Sequence, residues 1–120
     1  MASATDYCFA TQSASVKLSE LAIGIGPFVV GPSIERKIGL SAFSQLTINA
    51  TKWQTAKWAK EKGLFAEIFE TGEDMDSAIQ ILADQLASFN PKSMKGLKEI
   101  MWDGTDHWDK LLMERAEISG

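Results

Sequence analysis

The sequence predicts a mainly α-helical chain with two or three short strands, and three observations lead there. Texture changes at about Gly39: before it, small, glycine and β-branched residues dominate with few charges, and after it charges and tryptophans recur at helical spacing. Two-residue alternation of polar and apolar side chains is confined to short runs, at residues 15–18 and 64–69. Helix starts and stops, among them Thr71, Asn90-Pro91 and Gly104, cut the second part into helix-sized lengths. The chain therefore divides into residues 1–39 and a helical region over residues 40–120.

Residues 2–12 hold Tyr7, Cys8, Phe9 and Ala10 among Ser and Thr, a pattern open to either the tail of a buried helix or a strand. Ser15-Val16-Lys17-Leu18 reads as a half-buried strand. Ser19-Glu20 opens a loop punctuated by Gly24, Gly26, Pro27, Gly31 and Pro32. Pro32 suits a first helical turn, with Ile34 and Ile38 on one face until Gly39 ends the segment. Ser41 is an expected N-cap for a helix with Phe43, Leu46 and Ala50 inward. Residues 55–62 form a helix placing Ala56, Ala59 and Gly63 on one side, and residues 64–69 read as a strand. Thr71 with Asp74 three residues on is the start of a helix through Ser88, its inward face Met75, Ala78, Ile79, Leu82 and Leu86. Asn90-Pro91 starts a helix carrying Met94, Leu97, Ile100 and Met101, and a last helix covers residues 106–118.

Composition argues against several functions. Sixteen acidic side chains against twelve basic give a net charge of -4 with no Lys/Arg block, which disfavours nucleic acid and anionic membrane alike. One cysteine, Cys8, forms no internal disulfide and no Cys-rich zinc site, so a reducing, cytoplasmic setting is the simplest expectation. The longest apolar stretch, residues 21–30, is about half of what a spanning helix needs and carries two glycines and a proline. No basic n-region of a secretory signal opens the chain.

Few residue groups carry chemistry. Asp103, Asp106 and Asp109 flank His107, but His107 points about 200° away from Asp109 on a helix and Asp103 precedes the glycine break, so no metal is expected and the acids suit a capped helix start. Trp53, Trp58, Trp102 and Trp108 suit core or oligomer packing; a base-stacking platform wants flanking arginines, and the chain has only Arg36 and Arg115. Lys57, Lys60, Glu61 and Lys62 read as the wet face of a helix. The loop from Gly24 to Pro32 leaves backbone N–H groups to face a ligand, although it lacks the Lys and Ser/Thr of a phosphate loop. Glu20 stands between strand and loop with Leu18, Leu21, Ala22 and Ile23 around it. A carboxyl among apolar groups suits proton exchange near neutrality, and the alternative is an exposed loop glutamate.

Ala14-Ser15-Val16-Lys17-Leu18-Ser19-Glu20-Leu21 followed by Gly24-Ile25-Gly26-Pro27 resembles the stretch of the crotonase (enoyl-CoA hydratase/isomerase) superfamily in which a short strand leads into a catalytic glutamate and a glycine-proline loop. Ile34-Glu35-Arg36-Lys37-Ile38-Gly39 is similar to the helix that follows, and Ala56, Ala59, Gly63 and Leu64 match the family's small-residue helix and its exit turn. The Asn90-Pro91 helix also fits, so the likeness covers nearly the whole chain. Two departures stand out. Phe28, Val29 and Val30 follow Pro27 where the family usually has glycines, which would either narrow the acyl pocket or alter how a backbone N–H faces the reacting water. Asp6 and Ala10 fall on the family's pattern in a way that puts the first glutamate of typical hydratases, and the oxyanion-hole donors, before Met1.

The resemblance implies the C-terminal part of an α/β crotonase-like fold, a spiral of strand-strand-helix turns. Residues 1–39 then form the end of the spiral core with the active-site strand and loop, and residues 40–120 a helical region that assembles a homotrimer or dimer of trimers. It implies addition of water to, or a double-bond shift in, an enoyl-CoA thioester of fatty acid metabolism, in a fragment inactive alone. Glu20 is the expected catalytic residue, and Gly26, Pro27 and Phe28 the substrate-binding ones. No cofactor is implied beyond coenzyme A as part of the substrate. Branched or methylglutaconyl-type acyl groups are the nearest likeness; the alternative is a self-standing helical oligomerisation module without catalysis.

Overall fold

The computed structural model describes residues 2–119. A 3-10 turn at Ala2–Ala4 leads to β1 (Phe9–Thr11) and β2 (Ser15–Val16), then a second 3-10 turn at Glu20–Ile23 and helix α1 (Gly31–Ile48). There follow β3 (Gln54–Thr55), α2 (Ala56–Glu61), β4 (Glu67–Phe69), α3 (Gly72–Ser88), α4 (Pro91–Met101) and α5 (Trp108–Ser119). β1 pairs parallel with β4, Ala10 opposite Ile68, and β2 pairs antiparallel with β3, Val16 opposite Gln54. A parallel pair needs a crossover, and here everything from β2 to α2 lies within it.

Small residues set the core. Ala10 of β1, Ala56 and Ala59 of α2, and Leu64 and Phe65 behind α2 form one buried cluster, with Cys8, Val16, Ile38, Trp58 and Ile68 packed against it. The alanines let α2 lie close on the strands, which a larger side chain at the fully buried Ala59 would prevent. α2 starts on Thr55, whose hydroxyl accepts the Trp58 N–H at 3.1 Å. It ends at Gly63, whose φ of 89° is the left-handed conformation that a glycine adopts without strain.

Several elements differ from expectation. The run at 64–69 is strand only over Glu67–Phe69, because the Leu64 and Phe65 N–H groups turn back to the Ala59 carbonyl and close α2. Pairing begins once the Ala66 N–H reaches the Cys8 carbonyl at 2.8 Å. Residues 2–12 resolve into a 3-10 turn and a strand, whereas the break expected at Gly39 is present: with φ 82° and ψ 164° it kinks α1 and separates its two helical halves. Ala42, Leu46 and Ala50 are buried beyond the kink and Phe43 is half-buried.

Helices α3 and α4 are capped as read. Thr71 accepts the Asp74 N–H, and the Asn90 side chain accepts the N–H groups of Lys92 and Ser93. Their inward faces are not covered as expected. Met75, Ala78 and Leu82 of α3 are half-buried, whereas Ile79 and Leu86, and Leu97 and Ile100 of α4, are exposed. The radius of gyration is 16.2 Å, against about 13.6 Å for a compact chain of this length. The accessible surface is 8075 Å², against about 6,400 Å² for a compact monomer of this mass. α3 packs in part on β1 and β4, and the described residues leave Ile79, Leu86, Leu97 and Ile100 exposed.

Candidate active site

β2 aims the chain at the site. Anchored by its ladder with β3, it releases residues 17–19 into the 3-10 turn whose first residue is Glu20. Gly24 stops that turn at φ 85°, and the loop then folds back so that the Ile25 N–H donates to the Glu20 carbonyl at 3.0 Å. The fold-back brings Ile25, Gly26, Pro27, Phe28, Val29 and Val30 round the Glu20 side chain, lining a cavity of about 230 Å³. Glu20 Oε2 is buried with no hydrogen-bond partner among the described residues. A buried carboxylate oxygen left without a donor is costly, and a polar atom of a ligand is one group that offsets that cost.

The predicted binding residues Gly26, Pro27 and Phe28 lie in the same wall as Glu20. Loop N–H groups are used differently from the expectation that they face a ligand. The Phe28 N–H donates to the Gly26 carbonyl at 2.9 Å, and the Gly31 N–H donates to the Pro27 carbonyl at 2.9 Å, opening α1 with Pro32 in its first turn. Those bonds stiffen the wall, so shape and apolar surface are what it offers a ligand.

Other groups singled out in the sequence stand elsewhere. His107 is exposed, and no three His, Cys, Asp or Glu side chains converge to hold a metal among the described residues. Lys57, Lys60, Glu61 and Lys62 are exposed. Trp58 packs on the core, Trp53 lies exposed beneath Lys17 at 4.4 Å, and Trp102 meets Trp108 edge to face at 6.2 Å. Burial pushes the Cys8 thiol above its usual value, which keeps it protonated and unreactive.

Two long-range ties had no local signal. Asp6 bonds Lys98 at 2.6 Å and also accepts the Trp102 indole N–H, while Arg36 lies over the Trp102 ring at 4.0 Å and donates to the Met101 carbonyl. The Lys98 and Trp102 hydrogen bonds hold the Asp6 carboxyl below its ordinary value. Arg115 of α5 donates to the Phe28 carbonyl at 3.5 Å, reaching the back of the site wall. Both join residues at least 65 positions apart, where periodicity and caps say nothing.

Glu20, one of whose carboxylate oxygens is buried without a hydrogen-bond partner among the described residues, thus helps line a small, mostly apolar cavity. The enoyl-CoA hydratase/isomerase family model matches residues 1–116, and the chain belongs to that family. Solved structures agree in fold. An enoyl-CoA hydratase/isomerase from Pseudoalteromonas atlantica superimposes with a TM-score of 0.85 at 20% identity, over 98% of this chain and 47% of that one. An enoyl-CoA hydratase from Shewanella pealeana gives 0.76 at 26% identity, over 98% and 43%. An enoyl-CoA hydratase/isomerase from Marinobacter aquaeolei gives 0.79 at 20% identity, over 98% and 44%. This chain thus spans about half the length of the structures it matches, and its fold is part of the crotonase-like fold. Among curated proteins none matches. No described helix is long and apolar enough to cross a membrane.

Proposed function

We propose that Glu20 is the carboxylate that exchanges a proton at the α-carbon of an enoyl-CoA thioester, with Gly26, Pro27 and Phe28 walling the acyl group. The observation that supports this is that Glu20 helps line the apolar cavity while its Oε2 is buried with no hydrogen-bond partner among the described residues. In hydration, the oxygen of water bonds to the β-carbon, the double bond becomes a single bond, and Glu20 delivers a proton to the α-carbon. In isomerisation the same oxygen takes a proton from one carbon and returns it to another. A short or branched acyl group, of the methylglutaconyl type, suits the narrowed wall. The carboxylate that activates water, and donors for the enolate oxygen, would lie outside the 120 residues, so these alone should turn over little enoyl-CoA; donors of that kind are often the largest single catalytic contribution.

Residues 40–120 we assign to self-assembly as a trimer or dimer of trimers, supported by exposed Ile79, Leu86, Leu97 and Ile100. Light scattering of the purified chain measures this; a monomer at micromolar concentration would refute it. For the chemistry, a protein that completes the fold around these residues is incubated with a saturated acyl-CoA in deuterium oxide and α-proton exchange is followed by NMR. Exchange should fall about 100-fold or more in Glu20→Gln while acyl-CoA binding persists. Undiminished exchange in the variant removes Glu20 from the mechanism. Hydration of crotonyl-CoA by the unmodified chain at an ordinary enzymatic rate, about 1 s⁻¹ or faster, would overturn the expectation of low turnover.

A further inference from the structure

A proline in the first turn of a helix leaves the carbonyl four residues before it without a helical donor. Where α1 opens, the Gly31 N–H donates to the Pro27 carbonyl at 2.9 Å and the Ile34 N–H to the Val30 carbonyl at 3.4 Å. Between those two bonds stands the Phe28 carbonyl, and the residue four positions on is Pro32, which has no N–H to give. Arg115 of α5, 87 positions away, supplies the donor, its Nη1 lying 3.5 Å from the Phe28 oxygen. The guanidinium sits close over the start of α1: a Cβ on Gly31 would lie 3.5 Å from Arg115 Nη1 and 3.3 Å from the tip of the Phe43 ring. Gly31 and Pro32 are buried there, and Pro32 and Leu40 of α1 share a cleft with Trp108, Leu111 and Arg115 of α5. A second tie runs the opposite way, from Arg36 of α1 to the Met101 carbonyl in the last turn of α4. Both arginines of the chain thus clasp α1 and the α4–α5 pair together through main-chain carbonyls.

We propose that Arg115 is a positioning residue for the Glu20 site: it replaces the donor that Pro32 removes and so holds the Phe28 end of the site wall to α5. The proposal rests on the assignment of Glu20 above. Phe28 lines the cavity beside Glu20, while its carbonyl is held from α5. A guanidinium suits this place because it keeps its proton at any working pH, and a charged donor bonds a carbonyl more strongly than a neutral one.

Amide hydrogen exchange in the 120-residue chain tests the bond. Arg115→Met should speed exchange of the Phe28 and Gly31 amides about tenfold, the weight of one hydrogen bond, while α2 amides keep their rates. Arg115→Lys retains a charged donor and should stay within about threefold of the unmodified chain. Pro32→Ala returns an N–H to position 32, and in that background Arg115→Met should speed exchange by less than about threefold, the coupling that a double-mutant cycle reads. In a protein that completes the fold, Arg115→Met should raise KM for α-proton exchange of a saturated acyl-CoA about fivefold, and Arg115→Lys less than about twofold, because a displaced wall holds the acyl group less well. A merely structural loss lowers the amount of folded enzyme, and with it kcat, at unchanged KM. Unchanged Phe28 and Gly31 exchange, equal Arg115→Met effects in both backgrounds, or a general acceleration that includes α2 would overturn the donor role. An unchanged KM would overturn the link to the site. Undiminished turnover in Glu20→Gln would remove the assignment of Glu20, and the amide rates would still decide the bond by themselves.

Discussion

Residues 2–70 and residues 71–119 are built on different terms. Every buried residue described, from Ser3 to Phe65, lies in the first region, where α2 and the two short strand pairs enclose a core of alanines closed by Leu64 and Phe65. The second region has three helices, of which α3 and α4 carry side-chain caps, and no buried residue at all among those described. Cap hydrogen bonds satisfy backbone ends but supply little of what orders a helix in water; most of that comes from burying an apolar face. The contrast teaches that α3 and α4 leave much of their apolar faces exposed among the described residues, whereas the region holding Glu20 builds its own interior.

Substitutions can break or sharpen that contrast. Phe65→Ala, deep in the first region, should cost about 3–5 kcal/mol in urea unfolding; a cost under about 1 kcal/mol would mean no consolidated core. Gly39→Ala forces a Cβ onto a φ of 82° and should cost about 1–2 kcal/mol by thermal melting, with α1 weakened on both sides of the kink. Asn90→Ala removes two cap bonds and should cost about 1 kcal/mol, felt as faster hydrogen exchange in α4 and not in α2.

Acid should act on the second region before the first. Asp6 is held below its ordinary value of 3.8 chiefly by the Lys98 hydrogen bond, so its contribution is complete above that value and fades as pH falls through and below it. α4 amides should therefore lose protection in that window while α2 amides keep theirs, and Asp6→Asn should abolish the difference. The smallest effect belongs to Phe89→Ala, within about 0.5 kcal/mol for the isolated chain, because that ring is exposed. A large cost there would show that the helical region is covered after all.

Local chemistry was readable without coordinates. Thr71, Asn90 and Gly63 announce their turns because cap preferences depend on a few consecutive residues. The order strand, Glu20, glycine-proline loop was legible for the same reason, and it carried the likeness to the family. Burial was not legible. Ile79, Leu86, Leu97 and Ile100 recur at helical spacing, and spacing tells which side chains share a face but not whether anything lies against it.

Sequence by itself determined the helix starts, the loop composition and the family, all properties of neighbouring residues. Only the tertiary structure decided that Glu20 Oε2 is buried without a partner among the described residues, that Arg115 donates to the Phe28 carbonyl, and that Asp6 ties α4 down through Lys98 and Trp102. The physical reason is distance along the chain. A hydrogen bond between residues 6 and 98 depends on every element folded between them, and a cavity depends on how closely its walls approach.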